Sequence, residues 1–286
     1  ELPYKDVNID NISSVDELPV FNKGCDSSYS WSFKYKHLCP SEDVSIVCDK
    51  IEEKLPSGRF VSLNHKTGST DNMLCFTGGE PMLRQKHMEA IIREFIERDN
   101  IPKTITVETN GTKPITTELK DFISEITREY GVRWHWSISP KLLYTAGEKD
   151  AVIPDVIVGY ADTCPQVTTI LKFVCNGSDE SWAEIEDALL NIDLEFGYIM
   201  DKVKFPDVWI MPVGATKEAQ EEIELMKSMI KMKQGQLDDM RQNWQGVRRS
   251  SVSADLALDG ELLRRYKDRL SYAEYIMAQH EARQDE

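Results

Sequence analysis

The 286-residue chain contains no apolar run near the roughly 20 residues that a membrane-spanning helix needs. Its first residues, ELPYKDVNID, lack both the basic and the apolar stretch of a secretory signal. Basic residues are few: 34 Lys and Arg against 49 Asp and Glu leave a net charge of -15. That balance excludes a broad electrostatic grip on nucleic acid, which needs clustered Lys and Arg. It leaves room for a local basic pocket facing a small anion. The cysteines (Cys25, Cys39, Cys48, Cys75, Cys164 and Cys175) show no paired spacing of a disulfide framework. The five histidines show no metal-ligand spacing, and there is no internal repeat or low-complexity tract. What remains is a soluble globular protein with reduced thiols, expected in a cytoplasm and without a direct nucleic-acid or membrane partner. With 41% hydrophobic and 29% charged residues, the chain is long enough for one sizeable α/β domain, alone or with an appendage.

What is present is a β/α rhythm from residue 41 onward. SEDVSIVCDKIEEKL opens with a serine cap candidate and keeps apolar residues at helical spacing. NMLCFTGG reads as a buried parallel strand, QKHMEAIIREFIERDN as an amphipathic helix and KTITVETNG as a β-branched strand. Helix TTELKDFISEITREYG, strand VRWHWSISP, strand TTILKFVCNG, helix ESWAEIEDALLNI, strand DVWIMPVG and helix KEAQEEIELMKSMIKM follow. This order predicts a parallel sheet with crossover helices, either open or closed into a barrel. The strands end in TGGEP, ETNGT, SISPK, FVCNG and MPVG. Polar and glycine-rich residues at five successive carboxyl ends predict one ligand-binding rim. Residues 1–20 are acidic and irregular, and residues 234–286 read as a polar helical appendage with a Ser-rich break at RRSSVS.

CFTGGEPML, residues 75–83, is the most specific signal. Its glycines let backbone approach a ligand, Glu80 offers a fixed anion, and Pro81 is suited to start a helix. Taken alone, the segment is also an ordinary tight turn. With CDSSYSW at residues 25–31, VETNGT at 107–112 and SPK at 139–141, the chain resembles the radical S-adenosylmethionine enzymes. Within them it most resembles the 7-carboxy-7-deazaguanine synthase family, over roughly Cys25 to Thr216. The resemblance implies a partial (β/α) TIM-like barrel with a helical C-terminal appendage. It implies a 4Fe–4S cluster on three thiolates of a C-x3-C-x2-C loop, since soft sulfur suits such clusters. S-adenosylmethionine occupies the open iron, and its reductive cleavage gives a 5′-deoxyadenosyl radical. The implied reaction contracts the ring of 6-carboxy-5,6,7,8-tetrahydropterin to 7-carboxy-7-deazaguanine with loss of ammonia.

By the same resemblance Cys25 is the third cluster cysteine, and Ser27 a ligand of Mg2+, a hard cation suited to oxygen donors. Gly78, Gly79 and Glu80 hold S-adenosylmethionine, with Thr109, Asn110, Ser139 and Lys141 beside it. Glu108 faces the pterin, with Lys172 as a further substrate contact. A flavodoxin- or ferredoxin-type electron donor and a homodimer are the implied partners. Each residue also has a plainer reading. Ser27 caps a turn, Asn110-Gly111 is a generic turn pair, Lys141 is a solvated group, and Trp134 and Trp136 pack in a core. The first two cluster cysteines and their preceding strand are absent before Cys25. Cys39 and Cys48 follow too far along the chain to replace them. The abrupt step from FNKG to CDSSYSW leads us to expect a further strand and loop head between Gly24 and Cys25. That expectation sets the division into residues 1–24, a core over 25–233, and the appendage. Two alternatives stay open: a glycyl-radical activating enzyme, and a cluster-less relative that binds a protein partner.

Overall fold

In the computed structural model, which describes residues 8, 11–18, 33–38, 41–64, 68–197 and 205–213, the β/α rhythm becomes a parallel sheet. Its strands are β3 (Leu74–Phe76), β4 (Thr104–Thr109), β5 (Arg133–Ile138), β6 (Thr168–Cys175) and β7 (Asp207–Pro212). They lie side by side in chain order, and each neighbouring pair is parallel. Ahead of them stand helix α1 (Val44–Lys54) and an antiparallel hairpin, β1 (Val61–Asn64) with β2 (Gly68–Asp71). Helix α2 (Gln85–Glu97) crosses from β3 to β4, and α3 (Thr117–Tyr130) from β4 to β5. Two helices, α4 (Leu143–Ala146) and α5 (Pro154–Ala161), lie between β5 and β6, and α6 (Asp179–Phe196) leads to β7. Among the described residues no helix is long and apolar enough to cross a membrane. The helix expected over residues 217–232, and the boundary drawn at residue 233, lie outside the described residues.

Local chemistry sets where these elements begin and end. Thr116 Oγ1 accepts from the Leu119 N–H at 3.3 Å and caps α3, and Gly131, at φ 66°, closes that helix. Ser178 Oγ caps α6 by accepting from the Ser181 N–H at 3.2 Å. Pro154 and Pro81 sit where helix N–H groups have no partner to lose, at the start of α5 and of a 3-10 turn over Pro81–Arg84. The serine cap expected for α1 does not form. Asp43 occupies the N-cap without a side-chain hydrogen bond, because the helix starts at Val44 and leaves Ser41 out of reach.

The strands alternate, with Ser137 on β5 as a buried exception on the other face. Ile105, Val107, Trp134, Trp136, Ile138, Leu171, Phe173 and Cys175 join one core with the apolar stripes of α2, α3, α5 and α6. Trp136 stacks on Tyr160 of α5, with ring centroids 4.6 Å apart, and donates to Thr163 Oγ1 at 3.3 Å. Burial on this scale, at several kcal/mol per aromatic side chain, fixes the register, since a one-residue slip would turn every core residue outward. The intervening residues, among them Thr106, Glu108, His135, Ile170, Lys172 and Trp209, are half-buried or exposed and define the opposite face of the sheet.

Candidate functional site

The strand endings expected to form one rim lie on one side of the sheet as far as they are described (Gly214 of MPVG lies outside the described residues), because parallel strands in chain order bring all carboxyl ends together. At β3 the turn Thr77–Glu80 leaves Gly78 and Gly79 exposed, at φ 81° and 24°. A side chain added at Gly78 would meet nothing within 4 Å, so open space lies directly against this backbone. Glu80 pins the turn. Its Oε1 accepts from the Met82 N–H at 3.0 Å and from Thr109 Oγ1 at 2.7 Å, while Oε2 accepts from the Asn110 N–H at 2.8 Å. One carboxylate thus caps the 3-10 turn and ties the end of β3 to the end of β4.

Thr109 itself is buried, and its hydroxyl also accepts from the Gly111 N–H at 3.2 Å. Asn110 folds its Oδ1 back to the N–H and hydroxyl of Thr112, at 3.0 and 2.7 Å. Both side chains shape the ETNGT turn from within. Gly111 is required there: it stands at φ 76°, and a Cβ would come 2.8 Å from Ile138 Cγ2. Below the turn, Tyr160 donates its hydroxyl to the Lys113 carbonyl, and burial pushes its acidity well below that of a free phenol.

On the open face Glu108 and Lys172 form an ion pair at 2.9 Å, reaching from β4 to β6 over β5. Thr77 donates to the second oxygen of Glu108 at 3.1 Å. The Lys172 hydrogen bond holds the Glu108 carboxyl below its usual range against a smaller opposing push from burial. Thr77 and the positive charge of Lys141 add to the lowering. The site therefore presents an ionised Glu108 carboxylate at neutral pH, paired with Lys172 and next to an exposed Lys141 and a half-buried Ser139. Ser139 is held by its backbone, whose N–H donates to the Thr109 carbonyl at 2.8 Å.

Nine of the residues singled out in the sequence (Gly78, Gly79, Glu80, Glu108, Thr109, Asn110, Ser139, Lys141 and Lys172) thus sit on the rim or just inside it. Cys25 and Ser27 lie outside the described residues. Among the described residues no three His, Cys, Asp or Glu side chains gather as a metal-ligating group. Cys48 and Cys175 are buried, Cys75 is exposed on β3, and Cys164 is half-buried. The described thiols therefore do not supply the three-thiolate set that an iron–sulfur cluster requires. Cys48 lies inside α1, where burial pushes its thiol up to about 11, as suits a core residue.

Three further residues, Thr77, Ser137 and Trp209, fall within the stretches TGGEP, SISPK and DVWIMPVG but are not singled out from the sequence. Strand alternation gives the missing signal for Ser137, since Trp134, Trp136 and Ile138 all turn to the helices and leave Ser137 on the side of Glu108. Comparison with protein-family models, with curated proteins and with solved structures finds no match to this chain.

Proposed function

We propose that the chain is a radical S-adenosylmethionine lyase of the 7-carboxy-7-deazaguanine synthase type, and that the five-stranded sheet is part of a TIM-like barrel. The substrate on this reading is 6-carboxy-5,6,7,8-tetrahydropterin, contracted with loss of ammonia. The observation that carries the reading is the Glu108–Lys172 pair at the same rim as the Glu80-anchored Gly78–Gly79 turn. A cation and a carboxylate side by side match a heterocycle that carries both a carboxylate and N–H donors. The exposed glycine turn offers backbone to the amino-acid end of S-adenosylmethionine, with Ser139 and Lys141 beside it.

A bound cluster with S-adenosylmethionine would supply radical initiation, and Cys25 would be one of the cluster thiolates and Ser27 a ligand of Mg2+. The residues of the rim bind and orient. Glu80 holds the turn rigid through three donors, so the backbone it presents is preorganised. Lys172 neutralises a substrate carboxylate, and Glu108, kept ionised, accepts from the N–H edge of the ring.

A second reading, a cluster-less relative that binds a protein partner, is favoured by one observation. The sequence has Cys25 but not the two cysteines that precede it in the loop. The test that separates the two is anaerobic reconstitution with iron and sulfide, followed by electron paramagnetic resonance of the reduced protein. A 4Fe–4S signal that changes when S-adenosylmethionine is added supports the enzyme. Failure to take up iron under any reconstitution condition overturns it in favour of the binding protein.

A further inference from the structure

Ser137 is 3% exposed, and its Oγ has no hydrogen-bond partner. Its neighbours Trp136 and Ile138 face the helices, so by strand alternation its hydroxyl faces the open side. There it lies in register with Glu108 on β4 and with Ile170 on β6, on the face where Glu108 and Lys172 pair across β5. A buried hydroxyl without a partner is a standing cost to the ligand-free fold, and such groups concentrate where a ligand completes the bonding.

One strand further on, Trp209 is 60% exposed, the largest aromatic side chain left open among the described residues. Its neighbours on β7, Val208 and Ile210, pack into the core, which turns the indole to the same open face. Trp209 is in register with Lys172. Four consecutive strands therefore place an acid, a hydroxyl, a base and an aromatic ring on one surface. Ser137 is in register with Ile170 and, through it, with Asp207, so Trp209 lies two strands across and two residues further along, roughly 12 Å away at about 4.8 Å per strand and about 3.3 Å per residue.

We propose that Ser137 and Trp209 are ligand-contacting residues that decide how the heterocycle lies. This rests on the function proposed above and adds two contacts to it. The planar ring stacks on the Trp209 indole, and its carboxylate draws the Lys172 ammonium away from Glu108. Separation of the pair uncovers Ser137, whose hydroxyl then bonds a polar atom at the ring edge. The ion pair is thus a closed cover over an unfilled hydrogen-bonding position, and a carboxylated planar ligand opens it. An uncarboxylated ring has nothing to offer Lys172 and leaves the cover in place.

The experiment is calorimetric titration of the full chain with pterin-6-carboxylate, and with unsubstituted pterin as the comparison. Wild type, Ser137→Ala, Trp209→Ala and Trp209→Phe are each measured, with melting temperatures of the ligand-free proteins. Both alanine variants are expected to bind the carboxylated ring about ten-fold more weakly, the loss of one hydrogen bond or one stacking contact. Trp209→Phe recovers most of the loss. Ligand-free Ser137→Ala melts no lower than wild type, because it removes a group that had no partner. Unchanged affinity in either alanine variant overturns the role of that residue while leaving the proposed function standing. A lowered melting temperature for Ser137→Ala marks a structural hydroxyl and likewise overturns its role. Equal affinity of wild type for pterin and pterin-6-carboxylate overturns the opening of the pair by a carboxylate. No binding by wild type overturns the pterin assignment and this inference together.

Discussion

Glu80 accepts three hydrogen bonds from two different segments, so its side chain is the joint between the ends of β3 and β4. Replacement by Gln keeps the shape but turns one oxygen into a donor that faces either a backbone N–H or a hydroxyl. Hydrogen bonds to a charged acceptor are stronger than neutral ones, and a buried donor left unpaired is costly. Glu80→Gln is expected to destabilise the protein by about 2 kcal/mol, read from the urea midpoint. An unchanged midpoint would show that the joint carries little load. Glu108 gives a second test at this scale. Its carboxyl is held down first by the Lys172 hydrogen bond, so its folded value lies below the unfolded one. The stability this contributes is complete above the ordinary carboxyl range and is lost as pH falls through the lowered folded value. Lys172→Met removes the main lowering and leaves the opposing push of burial. The Glu108 side-chain carbon resonance should then titrate at higher pH than in wild type. A titration that stays in place would mean that the two groups are not paired in solution.

At the scale of elements, the ETNGT turn shows what holds the rim in position. Gly111 combines a left-handed backbone with a close approach to Ile138 on β5 and Ile157 on α5. Alanine there meets both obstacles at once, and Gly111→Ala is expected to cost about 3 kcal/mol. The measured loss should be accompanied by weaker ligand binding, because the same turn carries the bonds to Glu80. A stability change below 1 kcal/mol would contradict the close packing. Elements with clear periodicity are legible in the sequence: α2, α3 and α6 have polar and apolar faces, and β4, β5 and β6 have β-branched or aromatic alternation. The hairpin of β1 and β2 is not, since VSLN and GSTD are short and largely polar. Helix α5 is missed for the opposite reason. In PDVIVGYA the residues Val156, Ile157, Val158, Tyr160 and Ala161 are all buried, so no face is left polar to reveal a helical period. Its one local sign is the proline at its first turn.

For the whole molecule, a sequential parallel sheet converts separate motifs into a single place. GGEP, ETNGT, SPK and the lysine of LKFV are scattered over about a hundred residues of sequence, yet the first three follow or end strands of the same sheet and Lys172 lies in its β6. That convergence is legible beforehand, because crossover topology sends every carboxyl end to the same rim. The pairing of Glu108 with Lys172 is not legible, since it joins strands that are two apart and depends on the register of both with β5. Nor is the role of Ser137, the first residue of SISPK, which is distinguished from its neighbours only by burial without a partner. The central claim is that this rim performs the ring contraction. The measurement that tests it most directly is anaerobic turnover of the reconstituted protein with S-adenosylmethionine, Mg2+, a low-potential reductant and 6-carboxy-5,6,7,8-tetrahydropterin. The account predicts 7-carboxy-7-deazaguanine and 5′-deoxyadenosine by mass spectrometry. A fully cluster-loaded protein that forms neither would contradict it.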